Sequence, residues 1–133
     1  MKQAKKIITR MLLNNWGGIS HRMMEFHEYV NLFSGKSGSG KSTVMDAIQV
    51  VLYGSMSASF LNKAADDAKN RRSVMSYLRG EQKDGTANRG GQDFGSTLVL
   101  EIKDTGSGIT TCFGVLFEIG RADTDINGKY TFF

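Results

Sequence analysis

The chain has 133 residues and a formal net charge of +4, with 40% hydrophobic and 23% charged residues. That is the size and composition of one globular domain and excludes a disordered chain. One cysteine, Cys112, excludes an internal disulfide framework and a cysteine-based zinc cluster, and no apolar run approaches the roughly 18 residues of a membrane span. The mild positive charge permits an anionic partner without demanding one. It is uneven: residues 1–41 hold Lys2, Lys5, Lys6, Arg10, Arg22, Lys36 and Lys41 against Glu25 and Glu28.

The N-terminal MKQAKKIITRMLL is basic but lacks the long apolar stretch and small-residue cleavage site of a secretory signal, so a reducing cytoplasm is the expected compartment. Within it, 5–13 is β-branched and apolar and predicts a strand. With no proline in the chain, turns must rely on Gly, Asn and Asp, and Asn14-Asn15-Trp16-Gly17-Gly18 predicts the first of them. Residues 21–34 alternate Met24, Phe26, Val30 and Leu32 with polar positions and predict one or two extended segments. Glycine and serine dominate 34–40. From Lys41 the period becomes helical, with Val44, Ile48, Val51 and Leu52 on one face and Gly54 where a C-terminal cap belongs. A second helical region, in two pieces, spans roughly 59–79 and ends at Gly80. Residues 80–93 are polar and glycine-rich and predict a long loop, read as disordered in preference to a DNA-reaching arm carrying Lys83 and Arg89. In 96–103 Leu98, Leu100 and Ile102 alternate with polar residues, and in 109–119 Ile109, Phe113, Val115, Phe117 and Ile119 do the same. The link Asp104-Thr105-Gly106-Ser107-Gly108 makes them an antiparallel hairpin. Tyr130-Thr131-Phe132-Phe133 reads as the start of a further strand.

One motif carries chemistry. Gly35-Lys36-Ser37-Gly38-Ser39-Gly40-Lys41-Ser42 fits G-x-x-x-x-G-K-[ST], the Walker A phosphate-binding loop, followed by Thr43. Successive backbone N–H groups must converge on a phosphate, and glycines allow the required dihedrals. The helix that follows adds its positive pole. Lys41 supplies a mobile point charge to the β- and γ-phosphates, the catalytic contribution expected here, and the Ser42 hydroxyl is the expected Mg²⁺ ligand. The alternative, a serine-glycine linker, is disfavoured by the apolar segment ending at Phe33 and the amphipathic helix starting at Lys41. ATP and Mg²⁺ are therefore the expected cofactors.

A complete P-loop ATPase also needs an acid at the end of an apolar strand to hold Mg²⁺ and polarise water. Leu98-Val99-Leu100-Glu101 and Val115-Leu116-Phe117-Glu118 come nearest, but both lie on the hairpin, lack Asp and read as solvent-facing glutamates. No L-S-G-G-Q-like signature occurs. The sequence carries half of a nucleotide site.

Residues 5–54 resemble the N-terminal head segment of SMC-like ATPases, which include the SMC proteins, the double-strand-break repair ATPases related to SbcC, and RecF. The resemblance rests on a strand ending in Asn15-Trp16, a second strand of the MEFHEYVNL type and a Walker A running into STVMDAIQ. Asn15-Trp16-Gly17-Gly18, the phosphate loop and RSVMSYLRG at 72–80 are more specifically similar to the JetC subunits of Wadjet plasmid-defence systems, relatives of the MukB and Mks bacterial condensins. Ser37 matches the JetC-like pattern where many SMC and repair ATPases have Asn, while Gly17 departs from their basic residue. The resemblance implies an α/β P-loop NTPase fold of the ABC/SMC head type, with an antiparallel β-layer beside the Walker A loop and helix. Residues 1–133 would be the N-terminal lobe of a longer chain whose coiled coil and C-terminal lobe, with the Walker B acid and the signature, lie elsewhere. It implies as partners that C-terminal lobe, a second head in a homodimer, kleisin and accessory subunits, and double-stranded DNA, with no membrane. Hydrolysis would drive DNA loop extrusion. An ABC-transporter-type lobe, a small P-loop kinase and a nucleotide-gated interaction module are the alternatives.

Arg71 and Arg72 are candidate contacts to DNA or nucleotide, against a solvated helix face. Arg79 reads as a complement to a helix dipole. Trp16 either stacks on adenine or closes the edge of the sheet, and the core reading is favoured. Cys112 reads as a buried strand thiol, Asp46 as exposed or as a support behind the site, and Gln49 as a structural hydrogen-bonder. His21 and His27 have no partners at ligand spacing. Apolar edges are expected on the sheet, with a dimer or a partner to cover them.

Overall fold

The computed structural model describes residues 4–26, 41–54, 73–82 and 84–133. In chain order the elements are β1 (Lys6–Trp16), β2 (Ile19–Glu25), α1 (Lys41–Tyr53), α2 (Val74–Arg79), β3 (Phe94–Asp104), β4 (Thr110–Ile119) and β5 (Tyr130–Phe132). The strands form one five-stranded sheet in the order β2-β1-β3-β4-β5, and every neighbouring pair is antiparallel. Both helices pack on one face, α1 against β3 and β4, and α2 against β1. This is the antiparallel layer beside a helix that the sequence leads one to expect; the described residues contain no parallel pair.

Period-two alternation sorts the sheet into two faces. Met11 and Leu13 of β1 stand opposite Leu100 and Leu98 of β3, and Leu98 and Leu100 stand opposite Val115 and Phe113 of β4. All but Phe113 are fully buried. They meet Val44, Ala47, Val50 and Val51 of α1 and Val74, Tyr77 and Leu78 of α2 in one core. Each such aliphatic side chain stabilises the fold by at most about 1.5–3 kcal/mol. The buried face of α1 is not the expected one. Ile48 is only partly buried and Leu52 is 46% exposed. α1 is apolar on nearly all sides, so periodicity alone does not select the face that meets the sheet.

The same alternation corrects Cys112. It pairs with Glu101, and because Phe113, Val115, Phe117 and Ile119 point inward, Cys112 points out and is exposed. Ile109 precedes β4 and is 64% exposed. Asn14, Asn15 and Trp16 belong to β1 and not to the turn, which is Gly17-Gly18 alone, flanked by the pair Trp16↔Ile19. Gly17 has φ +59°, as the first position of a tight two-residue hairpin turn of type II′ requires. Asn15 has φ 54°, a conformation Asn tolerates better than most residues, and its side-chain amide donates to the Gly95 carbonyl at 2.8 Å.

Ser73 caps α2, its hydroxyl accepting from the Ser76 N–H at 3.1 Å, and Gly80 ends it at φ 69°. The described residues after Gly80 fold back on themselves. Gln82 N–H donates to Thr86 O at 2.7 Å, and Asp84 accepts from the backbone and hydroxyl of Thr86 at 3.0 and 2.6 Å. Gly54 ends α1 as expected, at φ 59°. The expected edge is present too: Tyr130, Phe132 and Phe133 are 38%, 40% and 59% exposed along β5. No helix among the described residues is long and apolar enough to cross a membrane.

On the outer face a register shift between Ile8 and Arg10 turns Thr9 and Arg10 onto the same carboxylate. Arg10 grips Glu101 with Nε and Nη2 at 3.0 and 2.7 Å, and the Thr9 hydroxyl donates to it at 2.8 Å. The Arg10 hydrogen bond, then that of Thr9, holds the Glu101 carboxyl below its ordinary value of 4.5. A depressed carboxylate stabilises the fold above that value and loses its contribution as pH falls through the folded-state pKa. Urea unfolding at neutral pH should therefore find Glu101→Gln less stable than wild type, with the gap closing below about pH 4. A gap that widens in acid would contradict this ion pair. Gly114 tests the sheet packing, because a Cβ there would run into the Leu98 carbonyl. Gly114→Ala should cost about 1–3 kcal/mol in the same assay, whereas Gly18→Ala, with open space around it, should cost less.

Candidate phosphate-binding site

α1 begins at Lys41, the lysine of the G-x-x-x-x-G-K-S pattern, so the motif's last residues form the first turn of a helix packed on the sheet. Gly35, Lys36, Ser37, Gly38, Ser39 and Gly40 lie outside the described residues, as do Arg71 and Arg72, His27, Lys83, the predicted helix before Ser73 and the second part of the 21–34 segment. Lys41 and Ser42 open α1, and Thr43 follows, partly buried. No acidic residue occupies the first turn of α1. The positive pole of α1 therefore meets no carboxylate from the helix's own first turn, which suits an anion.

That first turn is tied to the sheet. Trp16 is fully buried, and its indole N–H donates to the Thr43 carbonyl at 2.9 Å. The ring stacks on Tyr77 at 4.7 Å between centroids, the planes inclined by 15°. Trp16 is thus a core residue, as favoured from sequence. Gly17 presses on Thr43 from the same side: a Cβ on Gly17 would lie 2.7 Å from the Thr43 Cγ2.

One turn further along α1, Asp46 is buried and accepts a hydrogen bond from the Tyr77 hydroxyl. This corrects the exposed reading of Asp46, whose carboxylate ties α1 to α2. Gln49 Oε1 is buried with no hydrogen-bond partner among the described residues, where the sequence leads one to expect a structural hydrogen-bonder.

Two arginines that the sequence places on the surface are buried. Arg79 does not merely complement a helix dipole. Its Nη1 donates to the carbonyls of Arg89 and Gln92, both at 3.0 Å, and its Nη2 to those of Gly120, Arg121 and Asp123 at 2.7, 3.3 and 3.0 Å. Arg89, expected in a disordered loop, donates through Nε to Leu78 O at 2.5 Å and through Nη2 to Gly17 O and Tyr77 O at 2.6 and 3.2 Å. Both guanidinium carbons lie over the Phe94 ring, 5.4 and 5.7 Å from its centre, a cation–π geometry. Burial pushes the Arg89 guanidinium below its ordinary value, though arginine stays charged. The partial charges of these carbonyls offset the desolvation that burying a cation costs.

The family model described as the P-loop containing region of AAA domain matches residues 8–68. It takes in most of β1, all of β2, the Walker A pattern and α1. The SbcC component of the SbcCD nuclease of Staphylococcus haemolyticus (strain JCSC1435) is 37% identical to this chain over 74 residues, 53% of the chain. The chain contains a P-loop ATPase region similar to that of SbcC. It spans about 6% of the length of that relative. Among the described residues no group of His, Cys, Asp and Glu is arranged to hold a metal ion. His21 instead hydrogen-bonds the Asn14 side chain.

Removing the hydroxyl that reaches Asp46 tests the support behind α1. Tyr77→Phe should lower stability by about 1–3 kcal/mol in urea unfolding, because a buried carboxylate loses a donor. An unchanged midpoint would mean the contact contributes nothing.

Proposed function

We propose that this chain binds Mg-ATP through residues 35–43 and is the N-terminal ATP-binding lobe of an SMC-like, DNA-acting ATPase head. The observation that carries the reading is the start of α1 at Lys41 of the Walker A pattern, with its first turn fastened to β1 through Trp16 and Thr43. The similarity to SbcC supports it.

The donor set fits a magnesium nucleotide. Backbone N–H groups of Gly35, Lys36, Ser37, Gly38, Ser39 and Gly40 would hold phosphate oxygens, with Lys41 adding a cation and Thr43 closing the first turn of the helix. Ser42 would hold Mg²⁺, which supplies charge neutralisation at the β- and γ-phosphates. Turnover would require an acid and a signature from a C-terminal lobe. That lobe, a second head of the same kind, kleisin and accessory subunits, and double-stranded DNA are the partners this reading assigns in a cytoplasmic assembly, with Arg71 and Arg72 as contacts to DNA or nucleotide phosphates. Plasmid defence and chromosome condensation are the two roles this reading allows, and the RSVMSYLRG segment at 72–80 carries the likeness to the Wadjet subunits.

The test is calorimetric titration of the chain with Mg-ATP, alongside a phosphate-release assay. Binding without turnover is expected, and Lys41→Ala should weaken it by about tenfold or more while leaving the unfolding midpoint unchanged. Lys41→Ala binding as tightly as wild type would overturn the site. Lys41-dependent turnover by this chain alone would overturn the lobe reading in favour of a complete small enzyme.

A further inference from the structure

The Gly17-Gly18 turn is held at both of its faces. Toward α1, the Gly17 α-carbon lies so close to Thr43 that a Cβ would stand 2.7 Å from the threonine methyl. Behind, the Gly17 N–H donates to the Tyr77 carbonyl at 2.6 Å, and the Gly17 carbonyl accepts from Arg89 Nη2 at 2.6 Å. Arg89 is 6% exposed and also takes the carbonyls of Leu78 and Tyr77 at the end of α2. The space for it is made at Gly80, where a Cβ would lie 2.8 Å from Gly17 O and 3.0 Å from Arg89 Nη2.

We propose that Arg89 is a positioning residue for nucleotide binding: it clamps the Gly17-Gly18 turn against Thr43 and so sets the first turn of α1 relative to the phosphates. This rests on the reading of 35–43 as a nucleotide site. Arg89 acts through Gly17, whose backbone carries its pull to the residue directly after Ser42. A planar fork is needed because the three acceptors come from two separate segments, a geometry a lysine ammonium reaches only in part. Phosphate binding by a helix N-terminus depends on where its N–H groups point, so slack between the turn and Thr43 weakens affinity even in a chain that stays folded.

The experiment measures Mg-ATP affinity of the full chain by calorimetry for wild type, Arg89→Lys, Gly17→Ala, Thr43→Ser and the pair Gly17→Ala with Thr43→Ser. Emission from Trp16, the sole tryptophan, reports whether each variant retains its buried indole. Arg89→Lys and Gly17→Ala are each expected to raise the Kd about tenfold while folded. Thr43→Ser keeps the hydroxyl and removes the methyl. Its own affinity is the reference for the pair, and pairing it with Gly17→Ala should recover the part of the loss that comes from the Thr43 contact, so that the doubly substituted chain binds more tightly than Gly17→Ala alone.

A purely structural role would lower the unfolding midpoint and leave the affinity of the folded chain unchanged, and that result overturns the proposal. A pair that binds no more tightly than Gly17→Ala alone overturns it as well. Should Arg89→Lys not fold, the Gly17–Thr43 pair decides. Lys41→Ala, measured in parallel, separates the two claims. If it binds as wild type, the nucleotide site itself is refuted; if it loses binding while folded Arg89→Lys does not, only the positioning role is.

Discussion

The contact between the end of β1 and the first turn of α1 is the constraint on which the remaining geometry depends. A phosphate loop works only if the helix behind it is held still, because its N–H groups are useful in one direction. Here the hold has a polar part, the Trp16 indole on the Thr43 carbonyl, and a steric part, Gly17 against the Thr43 methyl. Neither residue belongs to the loop. Both lie at the tight connection between the first two strands, so the sheet itself dictates where α1 begins.

Behind that contact stands a layer made of charge and backbone in place of aliphatic side chains. Tyr77 stacks on Trp16 and reaches Asp46, so one short helix fixes the first two turns of α1 from the side. Arg89 and Arg79 then fill the space beyond α2, hydrogen-bonded to backbone carbonyls and sharing Phe94 between them. A buried cation solvated by backbone carbonyls is costly to displace, since removing any acceptor leaves it undersolvated. Such a layer restrains loops that have little apolar surface of their own. It gives the glycine-rich 84–93 segment and the 120–123 connection a defined position despite their composition.

Much of this is legible in the sequence, and most of what is not shares one physical cause. The hairpin of β3 and β4, the helix from Lys41 to Gly54 and the glycine cap at Gly80 follow from local periodicity and turn chemistry. Those are properties of neighbours in the chain. The inward turn of Arg89 depends on the Gly17 carbonyl, 72 residues away, and that of Arg79 on carbonyls more than 40 residues away. No local pattern announces a carbonyl acceptor, because every residue carries one. Asp46 escapes a local reading for the same reason, its partner being a tyrosine on another helix. Cys112 is a different case: counting outward from Phe113 puts it on the solvent face, and strand parity outweighs the general preference of cysteine for the interior. For the proposed site, the motif names the residues and the structure adds what meets α1 at Thr43, namely Trp16 and Gly17, with Tyr77 and Arg89 packed behind them.

The central claim is that nucleotide binding at 35–43 and the β1 contact to Thr43 are one mechanical unit. With a single tryptophan in the chain, the indole N–H gives one proton–nitrogen NMR resonance, and that proton is the one donated to Thr43. The most direct measurement follows this resonance while Mg-ATP is added. The account predicts a single hydrogen-bonded signal that moves along a saturable curve. An indole resonance that stays fixed while Mg-ATP is added to millimolar concentration would contradict it.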